Sequence, residues 1–381
     1  MNLRRRYACL LACVACVCLA CGSSSVAPST PSAPAVTPSI AATDTLPVVT
    51  ATPTPSPSAT PTQLVLAWTT KAVAMNGKES DDSAAQVHLG ANFPLTLTGQ
   101  SATVEGKDWY EATWSTPGRQ STGWLPASAV TRIKPSGIAN AAVDALDQAL
   151  ADYLRGLGAR VGVDAYDVTR GVTYTYNSGL AYFCASSMKV PIMLTFLTQL
   201  EKTRHEPTKG ELGQLQNMIE QSDNHAAEAL YEKIGAQAGI NAFMKGVHLS
   251  GLLPNKPGWW GHSTIKPSTM VALLTKLNNG TVLNAAHRKL ALELMRHVSA
   301  DGRIGVGDSS PAGATIAMKD GWTTARDGTG TMVVNTSGIV TLGAETYILS
   351  VYTNHDHGYP EGWAIIRHVA KVVGQKLMPT P

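Results

Sequence analysis

A serine and a lysine stand three residues apart in the stretch FCASSMKV, residues 183–190. The hydroxyl of Ser186 becomes a strong nucleophile only when a base takes its proton, and Lys189 can be that base if its amine is held neutral. Residues three apart share one face of a helix, so the two side chains can meet. A serine at a helix start is more often a simple cap. The pair alone therefore leaves a nucleophile and a helix cap open.

Two further short motifs favour the catalytic interpretation. Ser222-Asp223-Asn224 follows an apolar helical pattern, and Lys319-Asp320-Gly321 lies on a candidate strand. Ser-x-x-Lys, then Ser-Asp-Asn, then a strand-borne Lys-x-Gly is the order found in class A β-lactamases and penicillin-binding proteins. The segment from Ile138 to Leu377 therefore resembles the class A β-lactamase-type serine hydrolase domain.

This resemblance implies a catalytic role for four residues. Ser186 would be the nucleophile and Lys189 its base, and the nearby cation of Lys319 would lower the pKa of Lys189. Ser222 would pass a proton to the leaving amine. Lys319 would also hold Ser222 and the negative end of the substrate. The resemblance thus implies an enzyme that forms an acyl-serine intermediate.

Further residues are implied in substrate binding. Asn224 would orient the substrate amide, and the backbone N–H groups of Ser186 and Trp322 would stabilise the developing oxyanion. Thr323 and Thr324 would supply the hydroxyl contacts that the strand motif usually provides through its own threonine. These positions define one wall of a predicted cleft.

One departure concerns release of the acyl group. Class A β-lactamases activate the hydrolytic water with a loop glutamate. The corresponding loop here, residues 249–270, contains no carboxylate, and none occurs between Lys233 and Leu292. His262 either substitutes for that base or has a structural role beside two tryptophans. We therefore expect acylation with slow deacylation.

A second departure is Asp320, which replaces the family's usual threonine in the strand motif. A carboxylate there repels a substrate carboxylate unless Lys319 or Arg326 pairs with it. The sequence does not say which pairing holds, or whether Asp320 is ionised.

Other reactive residues are interpreted as structural. Cys184 precedes the nucleophile and is expected to be buried and inert. The sequence His355-Asp356-His357 lacks a third ligand of suitable spacing, so no metal site and no cofactor are expected. His225 is expected on a helix surface.

Composition narrows the partners. The chain has 381 residues, a net charge of +3 and 15% charged residues, which excludes the clustered basic face typical of nucleic-acid binding. Its N-terminus has the pattern of an export signal at residues 1–21, with a basic Arg4–Arg6, an apolar Ala8–Ala20 and small residues before Cys21. The stretch CLACGSSS resembles a bacterial lipoprotein box with Cys21 as the lipidated residue. We expect a secreted protein, lipid-anchored on the extracellular face of the membrane.

Two segments separate this signal from the hydrolase-like domain. Residues 22–62 are rich in Pro, Ser and Thr and form a disordered tether. Residues 63–134 have short alternating runs separated by turns, which predicts a small all-β barrel. The barrel resembles bacterial Src-homology-three-type domains of cell-wall proteins. Its Trp109 and Trp124 either bind wall peptides or belong to the core.

The remaining residues, 138–378, predict a mixed α+β fold. Helical spacing over Val143–Leu157 ends at Gly158, and two strands follow around a turn at residues 169–171. A helical insertion, three more strands and a final amphipathic helix complete the order. Short connections imply an antiparallel sheet flanked by helices, with a helical subdomain.

The favoured function is a β-lactamase-like serine hydrolase that opens a β-lactam amide. A penicillin-binding-type D-alanyl peptidase or esterase acting on wall peptides is a second interpretation, and a non-catalytic wall-binding lipoprotein is a third. The expected partners are a small-molecule β-lactam or a wall peptide, and the membrane through the anchor. A monomer is expected.

Overall fold

The computed structural model of the chain describes residues 64–378. The predicted signal peptide with its lipidation site Cys21, and the tether at residues 22–62, lie outside the described residues and stay predictions. Among the helices of the described range, none is long and apolar enough to cross a membrane.

The N-terminal part of the described chain is built from strands. These are β1 (Val65–Thr69), β2 (Val73–Asn76), β3 (Ala85–Leu89), β4 (Pro94–Val104), β5 (Lys107–Thr116), β6 (Arg119–Pro126) and β7 (Val130–Thr131). Ala112 and Trp114 of β5 are two residues apart and face the same side of the strand, where both are buried, and Trp109, three residues before Ala112, is buried as well. Trp109 is 1% exposed and is a core residue rather than a binding surface. The resemblance to Src-homology-three-type barrels stays a prediction.

The C-terminal part is organised around an antiparallel sheet. Its strands are β8 (Ala139–Ala142), β9 (Val161–Asp167), β10 (Val172–Tyr176), β14 (Thr315–Thr324), β15 (Met332–Leu342) and β16 (Glu345–Thr353), while β11 (Tyr182–Phe183), β12 (Leu252–Leu253) and β13 (Thr264–Ile265) form a separate small sheet. The main order is β14-β15-β16-β9-β10-β8, with only β8 and β10 parallel. Residues 333–340 of β15 are buried without a break, so both faces of the sheet are covered.

Helices provide that cover. They are α1 (Gln148–Leu157), α2 (Lys189–Thr203), α3 (Lys209–Glu220), α4 (Asn224–Lys233), α5 (Ala236–Gly246), α6 (Pro267–Asn278), α7 (Ala285–Arg296), α8 (Val306–Ser309) and α9 (Tyr359–Leu377). α6 packs on β9 and β16, α7 packs on β14, and α9 packs on β15 and β16. Residues 189–197 of α2 are all buried, which makes α2 the central helix of the helical insertion. The predicted α+β class, with a sheet flanked by helices and a helical subdomain, is confirmed.

The two parts share one continuous run of strands. Leu89 of β3 pairs with Ala141 of β8, and the N–H of Gly90 donates to the carbonyl of Asn140 at 2.6 Å. Beyond the strands, the His88 ring lies 2.5 Å from the Asp144 carboxylate. Strand β8 is absent from the sequence prediction, because its partners are distant in the chain. This junction joins the N-terminal strands to the sheet of the C-terminal part.

Candidate active site

Ser186 lies on a short 3-10 turn, Ala185–Met188, that leads directly into α2. Side chains of the sheet hold this turn in place. Ser187 Oγ donates to the Cys184 carbonyl at 2.7 Å and lies 2.8 Å from the Tyr352 hydroxyl on β16. Asn335 Nδ2 on β15 donates to the same carbonyl at 2.8 Å. The nucleophile predicted from sequence is therefore held by two central strands.

Lys189 is the centre of the site. Its Nζ lies 3.0 Å from Ser186 Oγ, 3.0 Å from Ser222 Oγ, 2.5 Å from the Ser222 carbonyl and 3.0 Å from Asn224 Oδ1. The residue is fully buried. Burial first, and then the charge of Lys319, lower the pKa of Lys189 to about 7. A large share of this amine is neutral at neutral pH and can accept the proton of Ser186.

The start of α4 brings Ser222 and Asn224 to Lys189. Asp223 is the cap of this helix, and its Oδ1 accepts from the Ala226 N–H at 2.7 Å. Ser222 just before it has φ of +55°, a left-handed conformation that a residue with a side chain adopts at a cost. Such strain persists only where the surroundings hold it. Here the strained residue is Ser222, whose carbonyl and hydroxyl both contact Lys189 Nζ.

Lys319 and Asp320 lie on β14 and form a buried pair. Lys319 Nζ donates to Asp320 Oδ1 at 3.0 Å and to the Asp320 carbonyl at 3.2 Å, and both side chains are at most 1% exposed. Burial raises the pKa of Asp320, and the Lys319 ammonium opposes that rise. Of the two pairings left open by the sequence, the structure shows the one with Lys319. The hydrogen bonds of Lys319 go to Asp320 and not to Ser222, contrary to the arrangement that the resemblance implies.

Strand β14 passes directly beside Ser186. A Cβ on Gly321 would lie 2.5 Å from the backbone N of Ser186 and 2.8 Å from that of Ser187, so only glycine fits this position. The next two residues, Trp322 and Thr323, line the cleft around Ser186. Thr324 does not line it, because its hydroxyl faces the sulfur of Met332 at 3.6 Å.

The cleft has a volume of about 410 Å³. The residues that line it come from four segments. These are the turn Ala185–Met188, which we call the nucleophile turn after the predicted role of Ser186, then α4, β14 and the segment 254–263, which we call the tryptophan loop. They are Ala185, Ser186, Asn224, His225, Glu228, Gly258, Trp260, Gly261, His262, Trp322 and Thr323. The cleft is large enough for a small acyl donor.

The tryptophan loop faces Lys189 with an aromatic ring. The Trp260 ring centroid lies 5.2 Å from Lys189 Nζ, and the side chain is 8% exposed. His262 packs against Phe183 and Trp259, and its Nε2 lies 3.4 Å from the Thr324 carbonyl. Burial lowers the pKa of His262. This side of the cleft therefore contacts Lys189 through an aromatic ring, and the tryptophan loop contributes no carboxylate.

One carboxylate does line the cleft, and sequence reasoning missed it. Glu228 lies one helical turn after Asn224 on α4, and its Oε1 accepts from the Gly258 N–H at 2.8 Å. It therefore links α4 to the tryptophan loop. The four-residue spacing from Asn224 was the available signal, since such residues share a helix face.

The remaining reactive residues are structural in the described chain. Cys184 is fully buried, and burial raises the pKa of its thiol. His357 Nδ1 lies 2.8 Å from Glu361, and His355 Nδ1 lies 3.5 Å from Asp327. Among residues 64–378 there is no group of three or more potential metal ligands.

A family model matches part of the chain. Residues 212–377 match the model of the beta-lactamase enzyme family. The match begins after Ser186 and Lys189 and includes Ser222, Asn224 and Lys319. No curated protein sequence matches the chain.

Solved structures share the fold of the C-terminal part. A beta-lactamase from Burkholderia vietnamiensis is 18% identical, with a TM-score of 0.55, covering 62% of this chain and 98% of that chain. One from Chitinophaga pinensis DSM 2588 is 19% identical, with a TM-score of 0.54, covering 60% and 98%. A mutant of PBP-A, solved as an acyl-enzyme complex with penicillin G, is 20% identical, with a TM-score of 0.54, covering 61% and 96%. The C-terminal part of this chain therefore has the β-lactamase fold, and residues 212–377 within it match the beta-lactamase enzyme family.

Proposed function

We propose that this protein is a serine hydrolase of class A β-lactamase type, which opens a β-lactam amide through an acyl-enzyme on Ser186 and releases it slowly. The observation that carries this proposal is the position of Lys189. Its buried amine lies 3.0 Å from Ser186 Oγ, and its pKa is lowered to about 7. A lysine that only capped a helix or paired with an acid would not need this environment.

Acylation follows from these contacts. Neutral Lys189 takes the Ser186 proton as Oγ attacks the carbonyl carbon, and the oxyanion is stabilised by the backbone N–H groups of Ser186 and Trp322. Ser222 Oγ, 3.0 Å from Lys189 Nζ, passes the proton to the leaving nitrogen. The C–N bond then breaks and leaves an ester on Ser186. Asn224 Oδ1 accepts a hydrogen bond from Lys189 Nζ, so the amide N–H₂ group of Asn224 remains available to orient the substrate.

Deacylation needs a water with a base beside it. The tryptophan loop brings the Trp260 ring to Lys189 instead of a carboxylate. An aromatic ring excludes water and accepts no proton, so hydrolysis of the ester is expected to be slow.

A D-alanyl peptidase or esterase acting on wall peptides is the second candidate. The same loop favours it, because slow hydrolysis of a β-lactam adduct typifies enzymes whose natural acyl donor is a peptide. A non-catalytic binding role is disfavoured by the four contacts that Lys189 makes. Release of D-alanine from a stem peptide would distinguish the peptidase from the β-lactamase.

The deciding experiment is intact-mass spectrometry of the purified protein after addition of millimolar penicillin. We expect an adduct of the full penicillin mass that persists for hours and maps to Ser186. Ser186→Ala should abolish it, while Ser250→Ala, at an exposed serine outside the cleft, should leave it unchanged. An adduct that survives in Ser186→Ala would refute the proposal.

We further propose that the chain is secreted and held at the membrane by a lipid on Cys21. The support is the sequence pattern before Cys21. Cys21→Ala should move the protein from the membrane fraction to the soluble fraction, and an unchanged distribution would contradict the anchor.

A further inference from the structure

The cleft has no lysine or arginine among its lining residues. Its two histidines are His225 and His262, and Glu228 contributes an acid. Lys189 lies beneath the cleft, but its amine is occupied by Ser186, Ser222 and Asn224. A carboxylate that enters the cleft therefore finds no ammonium or guanidinium counter-ion among these residues.

Lys319 is equally unavailable. Its ammonium is fully buried and is bonded twice to Asp320, through the side chain at 3.0 Å and the carbonyl at 3.2 Å. The second carboxyl oxygen of Asp320, Oδ2, is buried without a hydrogen-bond partner among the described residues. The pair is therefore neutral overall. Asp320 Oδ2 remains an unused acceptor, and the third N–H of the Lys319 ammonium is buried outside the lining of the cleft, where a substrate anion does not reach it.

Substrate groups beside the scissile bond must lie close to this pair. Gly321, the residue after Asp320, packs against the backbone N of Ser186. Trp322 and Thr323 continue along the same strand as one wall of the cleft. An acyl donor whose carbonyl is at Ser186 Oγ thus extends its neighbouring groups along β14.

Two cations near the cleft lie against the ring of Trp259. The Arg326 guanidinium lies 4.7 Å and Lys256 Nζ lies 6.0 Å from the Trp259 ring centroid. Neither residue lines the cleft. Stacked on an aromatic ring, each is held by a cation–π contact.

The β14 wall suits an uncharged group instead. The Trp322 side chain is 36% exposed, and Tyr359 and Trp363 support it from behind at centroid distances of 6.4 and 6.1 Å. Thr323 adds one hydroxyl that can donate or accept. An apolar ring beside a neutral hydroxyl matches an ester, an amide or an aromatic substituent.

We propose that the cleft selects acyl donors that carry no free carboxylate beside the scissile bond, with the Lys319–Asp320 pair as the cause. This inference rests on the proposed acyl-enzyme function of Ser186. Bringing an ionised carboxylate out of water without a partner is costly, whereas a neutral ester at the same place carries little of that cost.

The test compares benzylpenicillin with its methyl ester, which differ in this charge and by one methyl group. The second-order rate of Ser186 acylation is measured for each by intact mass. We expect the ester to acylate the wild-type protein at least about tenfold faster than the free acid does. A ratio of ester rate to acid rate of about tenfold corresponds to about 1.4 kcal/mol. Equal rates, or a faster free acid, would overturn the inference.

Variants then assign the cause. Asp320→Thr and Asp320→Asn remove the charge that neutralises Lys319, so both should move the ester-to-acid ratio about tenfold towards the acid. Asp327→Asn, at an exposed acid seven residues further on, should leave the ratio unchanged. An unchanged ratio in folded Asp320 variants would refute the role of the pair, and the wild-type comparison remains decisive if the variants do not fold.

The two proposals fail in different ways. If neither the acid nor the ester labels Ser186, the acyl-enzyme function is wrong. If both label Ser186 and the acid is preferred, only the substrate inference is wrong.

Discussion

The two sides of the cleft differ in chemistry. On one side, the nucleophile turn, α2 and the start of α4 bring four polar groups within 3.0 Å of one buried amine. On the other side, the tryptophan loop meets the same amine with an indole ring at 5.2 Å. The first arrangement can move protons in either direction, whereas the second can only exclude water. Under the proposed function, formation and breakdown of an acyl ester would thus depend on different elements, and the polar side is equipped for the first step.

The largest effect is expected from removing the Lys189 amine, which both sides of the cleft contact. Lys189→Ala takes away the base of the polar side, and loss of a positioned base commonly costs between about 10² and 10⁴ in rate. We expect acylation of Ser186 to fall about 10³-fold, measured as the rate of adduct formation. Lys202→Ala, on the exposed face of the same helix, is the control and should react normally. A loss below tenfold in Lys189→Ala would mean that another group takes the serine proton.

The pH dependence of acylation tests whether the Trp260 ring on the aromatic side helps to lower the pKa of Lys189. Only neutral Lys189 accepts the proton, and its pKa is lowered to about 7. The rate should therefore rise about tenfold per pH unit below 7 and level off above it. Trp260→Ala lets water reach the ammonium, which favours the charged form and moves the rise to higher pH, towards the ordinary lysine pKa.

Trp260→Phe keeps a ring over the amine and is the matched control. We expect its profile to stay near that of the wild-type protein. If Trp260→Ala and Trp260→Phe have the same profile as the wild type, the ring does not set the pKa of Lys189, and the proposed contrast between the two sides is weakened.

The polar side of the cleft follows closely from sequence. Ser-x-x-Lys and Ser-Asp-Asn are local motifs, and the helix starts at Lys189 and Asn224 place them without help from distant residues. The structure brings Ser186, Lys189, Ser222 and Asn224 together around one amine. The order of the five long strands of the sheet and of the helical regions between them was also predictable, because hydrophobic periodicity is local.

The other side could not be predicted in the same way. Two contacts on that side depend on how the irregular tryptophan loop folds back onto α4. One is the contact of the Trp260 ring with Lys189, and the other is the hydrogen bond from the Gly258 N–H to Glu228. Strand β8 was missed for the same reason, since it pairs with residues far away in the chain. The choice of Lys319 over Arg326 as the partner of Asp320 likewise needed the register of β14.

A smaller effect is expected at Glu228, the one acid that lines the cleft. Glu228→Gln keeps an acceptor for the Gly258 N–H but cannot take a proton from water. We expect slow release of the adduct to become about tenfold slower still, which is less than the roughly 10²-fold or more that a well-positioned general base contributes, while acylation is unchanged. Adduct lifetime by intact mass measures this, and Glu232→Gln, one turn further along α4 and exposed, is the control.

Glu228→Ala separates proton transfer from loop attachment, because it removes both. If Glu228→Gln releases the adduct like the wild type and only Glu228→Ala differs, the carboxylate holds the loop and does not act on water. The cleft would then contain no base for deacylation among its lining residues, which would sharpen the contrast between its two sides.

The smallest effect is expected at His262, a titratable residue of the tryptophan loop that lines the cleft. Its ring packs against Phe183 and Trp259, and its Nε2 faces the Thr324 carbonyl at 3.4 Å, so its polar end already has a partner. His262→Ala should therefore change the adduct lifetime less than threefold, a change of under about 0.7 kcal/mol in the barrier. His225→Ala, at an exposed histidine that also lines the cleft, is the matched control. A tenfold longer lifetime in His262→Ala alone would make His262 the base for deacylation, and the aromatic side of the cleft would then be catalytic in its own right.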